Sequence, residues 1–268
     1  MNTRQWLSLR SALVISIALA CPAMAGGPPD ESVGAPRGAA VERDPAALGA
    51  LDRMGSALRG LRQFSLTSDT STEVVLDTGQ KIELDGTVTY KAARPTSLYV
   101  EIKSDRKLRE LYFDAGKLTL HAPRLKFYAS TDVKAKTLGE LAINAATEYG
   151  IDFPMADMFF WGTEYAPKDL IQSAIYVGAA TLDGERADQY AFTQEDVEWQ
   201  VWISQETSLP KKLVITSLDD PALPQYRARL HWDTRTPVSA SVFKFTPPAG
   251  SSQTKLVPAG TAVASVGQ

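Results

Sequence analysis

Few side chains in this 268-residue sequence have the types and spacing to do chemistry: two histidines, His121 and His231, and one cysteine, Cys21. A histidine works as a general base when an acid orients it and a nucleophile waits beside it. No local spacing supplies such a set, and strand alternation puts both histidines on polar faces, as surface residues. Two carboxylates can divide acid and base roles across a cleft. Here Asp219-Asp220 precedes Pro221 and reads as a turn, while Glu195-Asp196 separates two strand patterns. The sequence has no G-x-S-x-G elbow, no H-E-x-x-H, no G-x-x-x-x-G-K-[ST] loop and no G-x-G-x-x-G after a strand. So few sulfur and imidazole groups leave little for a soft-metal site. The expectation is a protein that is not an enzyme, with no catalytic residues, no metal and no cofactor.

The suggestive residues are apolar. Met155, Met158, Phe159, Phe160 and Trp161 crowd between Pro154 and Gly162. Helical geometry points them in several directions, so one sheet contact does not bury all of them. They form either a plug of the core or a lid over a hydrophobic cavity, and the adaptable methionine thioether leans toward the lid. Under a lid, Met155, Met158, Phe159 and Trp161 contact a ligand from above, with Trp199, Tyr190, Phe113 and Leu84 as sheet-side walls. Aromatic residues at strand period are otherwise ordinary core.

The elements that position these residues follow from periodicity. Asp44-Pro45 is a helix cap followed by proline at the first helical position, and Leu51, Met54, Leu58 and Leu61 then form one apolar face. From Gln63 the period falls to two: Phe64 and Leu66, then Ile82, Leu84, Val88 and Tyr90, then Leu98, Val100 and Ile102, and onward to Phe127. Thr137-Leu138-Gly139-Glu140 is a capping-box pattern opening a second helix. Strands resume at Ser173 and run through Trp199, Val201 and Ile203 to Tyr226, Ala228, Leu230 and Trp232, with Phe243 and Phe245 last. About six strands, a helical insertion and about five more strands imply an α+β protein. Its large curved antiparallel sheet, a half-open barrel, has helices covering the concave face.

Composition agrees with one globular domain: 44% of residues are apolar, 22% charged, and 28 basic residues stand against 31 acidic ones. This excludes a disordered chain, a multi-span membrane protein and the basic footprint of a nucleic-acid binder. Arg4 and Arg10, the apolar run Ser11 to Ala20, and Ala23 with Ala25 before a cleavage point make residues 1–25 a secretory signal peptide. Cleavage there removes Cys21. The alternative, a lipid anchor on Cys21, needs a cleavage motif that Ala18-Leu19-Ala20 matches poorly. Residues 26–43 read as a flexible leader, 44–248 as a single domain and 249–268 as a loose tail, in a protein exported to the periplasm.

Several stretches carry a resemblance. Asp44-Pro45, Arg94-Pro95, Tyr112-Phe113-Asp114-Ala115-Gly116, Tyr149-Gly150-Ile151 and Trp161-Gly162 occur in that order, followed by Trp199-Gln200-Val201-Trp202-Ile203. With Leu209-Pro210-Lys211-Lys212-Leu213-Val214-Ile215 and Phe243-Lys244-Phe245-Thr246-Pro247-Pro248, they resemble an uncharacterised family of predicted bacterial periplasmic proteins. The closing Phe-x-Phe-x-Pro-Pro element is also similar to the end of LolA/LolB-type lipoprotein carriers. That resemblance implies an unclosed β-barrel with a helical lid over an apolar cavity for acyl chains. The arginine that holds the lid in those carriers has no matching motif here, so no ligand residue is carried across.

The expected function is non-enzymatic binding or carriage of a lipid, acyl chain or lipoprotein. The alternative is an envelope sensor or interaction module whose sheet engages a protein partner. The basic groups Arg106-Lys107-Arg109, Lys211-Lys212 and Arg227 with Arg229 could meet anionic headgroups in transient membrane contact, or blunt sheet faces and edges against aggregation.

Overall fold

Asp44 starts the fold as its sequence suggests: the carboxylate accepts a 2.7 Å hydrogen bond from the Ala46 amide and opens α1 (Pro45–Gly60). The computed structural model describes residues 43–259; the segments expected to be a signal peptide, nearly all of a leader and the last residues of a tail lie outside the described residues. α1 buries Ala47, Ala50, Leu51, Met54, Gly55 and Leu58. Its C-terminal carbonyls at Leu58 and Leu61 are taken by the Arg94 guanidinium, at 3.3 and 3.0 Å, a favourable place for a cation. Replacing Asp44 by alanine leaves the Ala46 donor without this partner and is expected to cost about 1 kcal/mol. The midpoint of urea unfolding checks it.

Alternating residues then build strands β1 (Gln63–Val75), β2 (Lys81–Ala93), β3 (Ser97–Lys103), β4 (Leu108–Asp114), β5 (Lys117–Ala122) and β6 (Phe127–Asp132). After helix α2 (Leu138–Tyr149) come β7 (Ser173–Leu182), β8 (Glu185–Thr193), β9 (Val197–Ser204), β10 (Pro210–Ser217), β11 (Gln225–Asp233) and β12 (Ser252–Thr254). The strands form one sheet in the order β12-β6-β5-β4-β3-β2-β1-β11-β10-β9-β8-β7, curved but unclosed. Two hairpins use two-residue turns with both residues at positive φ, Ala115-Gly116 and Asp183-Gly184. That is the turn whose twist matches paired strands. The long return after α2 brings β11 beside β1, with Leu66 opposite Trp232, so the two halves of the chain join at mid-sheet.

One face of the sheet is buried under a cover made of α1, α2 and the segment 150–171. Thr137 caps α2, accepting from the Glu140 amide at 3.1 Å, while the Glu140 carboxylate reaches the Lys136 amide at 2.8 Å. Gly150, at φ 65°, ends α2 in the left-handed region that suits glycine. The cover is pinned to the sheet by Tyr90, whose hydroxyl donates to the Pro154 carbonyl, and by a 2.9 Å hydrogen bond between Thr131 and Tyr149.

The C-terminal region departs from the sequence reading. Phe243 and Phe245 alternate like a strand, but Ala240–Phe243 is a 3-10 turn, and the chain then crosses the outer face of the sheet. Phe245 packs against Tyr112, His121 and Tyr128 at centroid distances of 5.1 to 5.2 Å. His121 therefore sits on the outer face as alternation requires but is only 4% exposed, its Nδ1 2.7 Å from Glu110. His231 is exposed beside Asp69. The tail then adds β12 to the sheet, parallel to β6, and the Ala259 amide reaches the Glu148 carbonyl of α2 at 2.7 Å.

Candidate functional site

Between the cover and the β9–β11 half of the sheet lies a cavity of about 80 Å³. α1 contributes Met54 and Leu58, one turn apart on its buried face, and β1 contributes Leu66. Met155, Asp157, Met158 and Trp161 come from the segment after Pro154, where Met155 takes a left-handed conformation and a 3-10 turn spans Ala156–Phe159. This tight turn fans the side chains out, so Met158, Phe159, Phe160 and Trp161 are all buried. The sheet wall consists of inward positions of β9, β10 and β11: Trp199 and Val201, Leu213 and Ile215, Leu230 and Trp232. Trp199 stacks on Phe192 at 4.3 Å and meets Trp161 at 5.6 Å, bridging wall and cover.

Two lining residues are polar. Gln194 follows β8 in the turn to β9; it is 4% exposed, and neither its Nε2 nor its Oε1 has a hydrogen-bond partner among the described residues. A buried polar atom left unpaired costs about 1–3 kcal/mol, so such a group calls for a reason. Asp157 is partly buried, and loss of solvation pushes its carboxyl up to about 6. Burial likewise pushes the Tyr226 phenol up, and its hydroxyl also lacks a partner among the described residues.

Of the residues singled out from sequence, Met155, Met158, Trp161 and Trp199 meet at the cavity. Phe159 packs edge-on against Tyr90 at 6.0 Å, and Tyr190 lies beside Tyr176 at 5.4 Å, both in the surrounding core. Phe113 is fully buried elsewhere in that core. Leu84, opposite Thr72 near the start of β2, is half-buried and does not line the cavity. Sequence reasoning missed Leu213, Ile215 and Trp232, whose signal was their inward alternation, and Gln194 and Asp157, which gave none. Outside, three of the basic residues singled out form ion pairs: Lys211 with Glu185 at 2.8 Å, Arg229 with Asp183 at 2.7 Å, Arg227 with Glu73 at 3.3 Å. Asp219-Asp220 forms the β10–β11 turn, where Asp220 accepts from Ala222 at 2.8 Å.

Fold and site together define an α+β half-open barrel with an apolar cleft beneath a helical cover. The chain belongs to the family described as predicted periplasmic protein (DUF2092), whose model matches residues 47–257. Among the described residues no helix is long and apolar enough to cross a membrane. No curated protein matches the sequence. Among solved structures the chain is similar to the Mycobacterium tuberculosis lipoprotein LppX, with 13% identity, 73% of this chain and 98% of that one covered, and a TM-score of 0.46. It is also similar to the Pseudomonas aeruginosa MucA/MucB complex structure, with 13% identity, coverage of 75% and 61%, and a TM-score of 0.41. A LolA superfamily protein from Nitrosomonas europaea gives 9% identity, coverage of 74% and 97%, and a TM-score of 0.34.

Proposed function

We propose that this is a periplasmic binding protein without catalytic activity that takes the apolar chain of a lipid or acylated ligand beneath its cover. The observation that carries this reading is the cavity lining: three methionines, Met54, Met155 and Met158, and three tryptophans, Trp161, Trp199 and Trp232. Aromatic rings supply rigid apolar area, and methionines repack around different guests. The cavity has about half the volume of a ~150 Å³ pocket that admits benzene. An acyl chain therefore enters as the 150–171 segment shifts outward. Ten buried methylenes supply about 8 kcal/mol of gross driving force, from which the cost of opening is subtracted.

Titration with diphenylhexatriene, an uncharged rod that fluoresces in apolar surroundings, tests the reading. Saturable enhancement at one probe per chain is expected, reversed by a competing acyl compound. Absence of enhancement, together with a ligand-free mass for protein purified from its own periplasm, would refute it.

A second reading, engagement of a protein partner, has one observation in its favour. The inner face is occupied by the cover, but the edge strand β7 leaves Ile175, Tyr176 and Val177 exposed by 43%, 45% and 52%. Edge strands with exposed apolar side chains are templates for strand addition. A photo-crosslinker at Val177 would capture one defined envelope protein on this reading, and a diffuse background otherwise.

A further inference from the structure

The polar end of the cavity narrows the ligand class. Gln194 is held in place by its own backbone, whose amide donates to the Val197 carbonyl at 2.8 Å across the β8–β9 turn. Its side chain lines the cavity at 4% exposure with both ends unpaired among the described residues. A primary amide presents donors at Nε2 and an acceptor at Oε1 in one plane. The complementary group is one that accepts and donates from adjacent atoms.

Resting on the acyl-binding reading above, we propose that the cavity selects an apolar chain ending in a primary amide over an ester or a carboxylate of the same chain. The ligand carbonyl accepts from Gln194 Nε2–H while the ligand N–H on the same side as that carbonyl donates to Gln194 Oε1, a pairing open to a primary amide. An ester offers the acceptor only and leaves Oε1 unpaired. A carboxylate does the same and brings negative charge into an apolar cavity that already holds Asp157. Sites with buried polar groups reject ligands that leave those groups unpaired more strongly than they reject a change in apolar bulk. Asp157 adds to this bias: above about pH 6 its carboxyl is ionised despite burial, so a second anion in the same cavity meets like charge as well as lost solvation.

The test is displacement of diphenylhexatriene from the full chain by dodecanamide, methyl dodecanoate and dodecanoate. The amide is expected to displace the probe at a concentration about tenfold below the ester, with dodecanoate the weakest. Gln194→Leu, similar in size and apolar, is expected to bring amide and ester within about twofold while the ester still binds. Should that variant fail to fold, judged by circular dichroism, Gln194→Met makes the same comparison. Equal displacement by amide and ester in the unsubstituted protein, or a preference that persists without Gln194, overturns the selectivity while leaving the acyl-binding reading intact. Failure of all three compounds to displace bound probe overturns both.

Discussion

Replacing Gly162 by alanine is expected to destabilise the protein by about 3 kcal/mol and to loosen the cover. At this point α1 and the 150–171 segment touch backbone to backbone within the cover. A Cβ on Gly162 would lie 2.7 Å from the Gly55 carbonyl carbon and oxygen, and one on Gly55 would lie 2.5 Å from the Gly162 nitrogen. Neither neighbour is the flexible end of a side chain, so relief requires moving a helix. Gly162 also has φ +78°, where a side chain is strained whatever the space. Overpacking costs about 1–3 kcal/mol and the left-handed conformation about 1–2, which together give the figure. For a domain of this size, that lowers Tm by about 6–12 °C. Gly55→Ala gains about 1 kcal/mol of helix propensity, so its loss is smaller though its clash is as severe. The double variant should cost less than the sum, since one displacement of α1 relieves both clashes. Calorimetry and the emission of Trp161, next in sequence and part of the cavity wall, report the two effects. A Gly162→Ala variant with unchanged Tm and emission would show that the contact is looser than the backbone distances state.

That contact also shows how far the sequence could be read. Strand alternation made β1 to β5 and β7 to β11 legible because one face is buried and the other wet, and caps such as Asp44 and Thr137 marked both helices. These are local signals. Trp161-Gly162 was visible as a pair of residues, but its partner Gly55 lies in another element and became meaningful only after the chain had folded. β12 was invisible for a different reason: Ser252, Gln253 and Thr254 are all exposed and join β6 through backbone pairing and a long Tyr128–Gln253 hydrogen bond, leaving no apolar pattern. His121 was placed on the correct face but taken for a surface residue, because the cover over that face, Phe245, is supplied by a segment more than a hundred residues away.

The candidate site divides along the same line. Met155, Met158, Trp161 and Trp199 stood out by type and crowding. Leu84 shared the strand pattern of true core residues yet lies past the end of the cover. The pattern states which face a residue occupies but not how far along the strand burial extends. Gln194 sits beside Glu195 and Asp196, in company that reads as a solvated turn. Only the placement of the β8–β9 hairpin under the cover turns its side chain into the cavity.

The largest gain in stability is expected from Asp157→Asn at neutral pH. Burial raises the folded-state pKa of Asp157 from 3.8 to about 6. Well below pH 4 the carboxyl is protonated whether the chain is folded or not, and the charge costs nothing. As pH rises from about 4 to 6 the unfolded chain ionises first, so the folded state loses stability relative to it, and above about 6 the full penalty applies. The shift corresponds to about 3 kcal/mol. Because Asp157 keeps some solvent exposure, solvent screening reduces this to about 2 kcal/mol. Asparagine has nearly the same shape and no charge, so the variant should melt about 4–8 °C above the unsubstituted protein at pH 7 and nearly together with it at pH 4. Other carboxylates drive acid unfolding in both proteins, so the difference between them isolates this one group. A Tm difference equal at the two pH values would mean that the asparagine packs better rather than that a charge was removed.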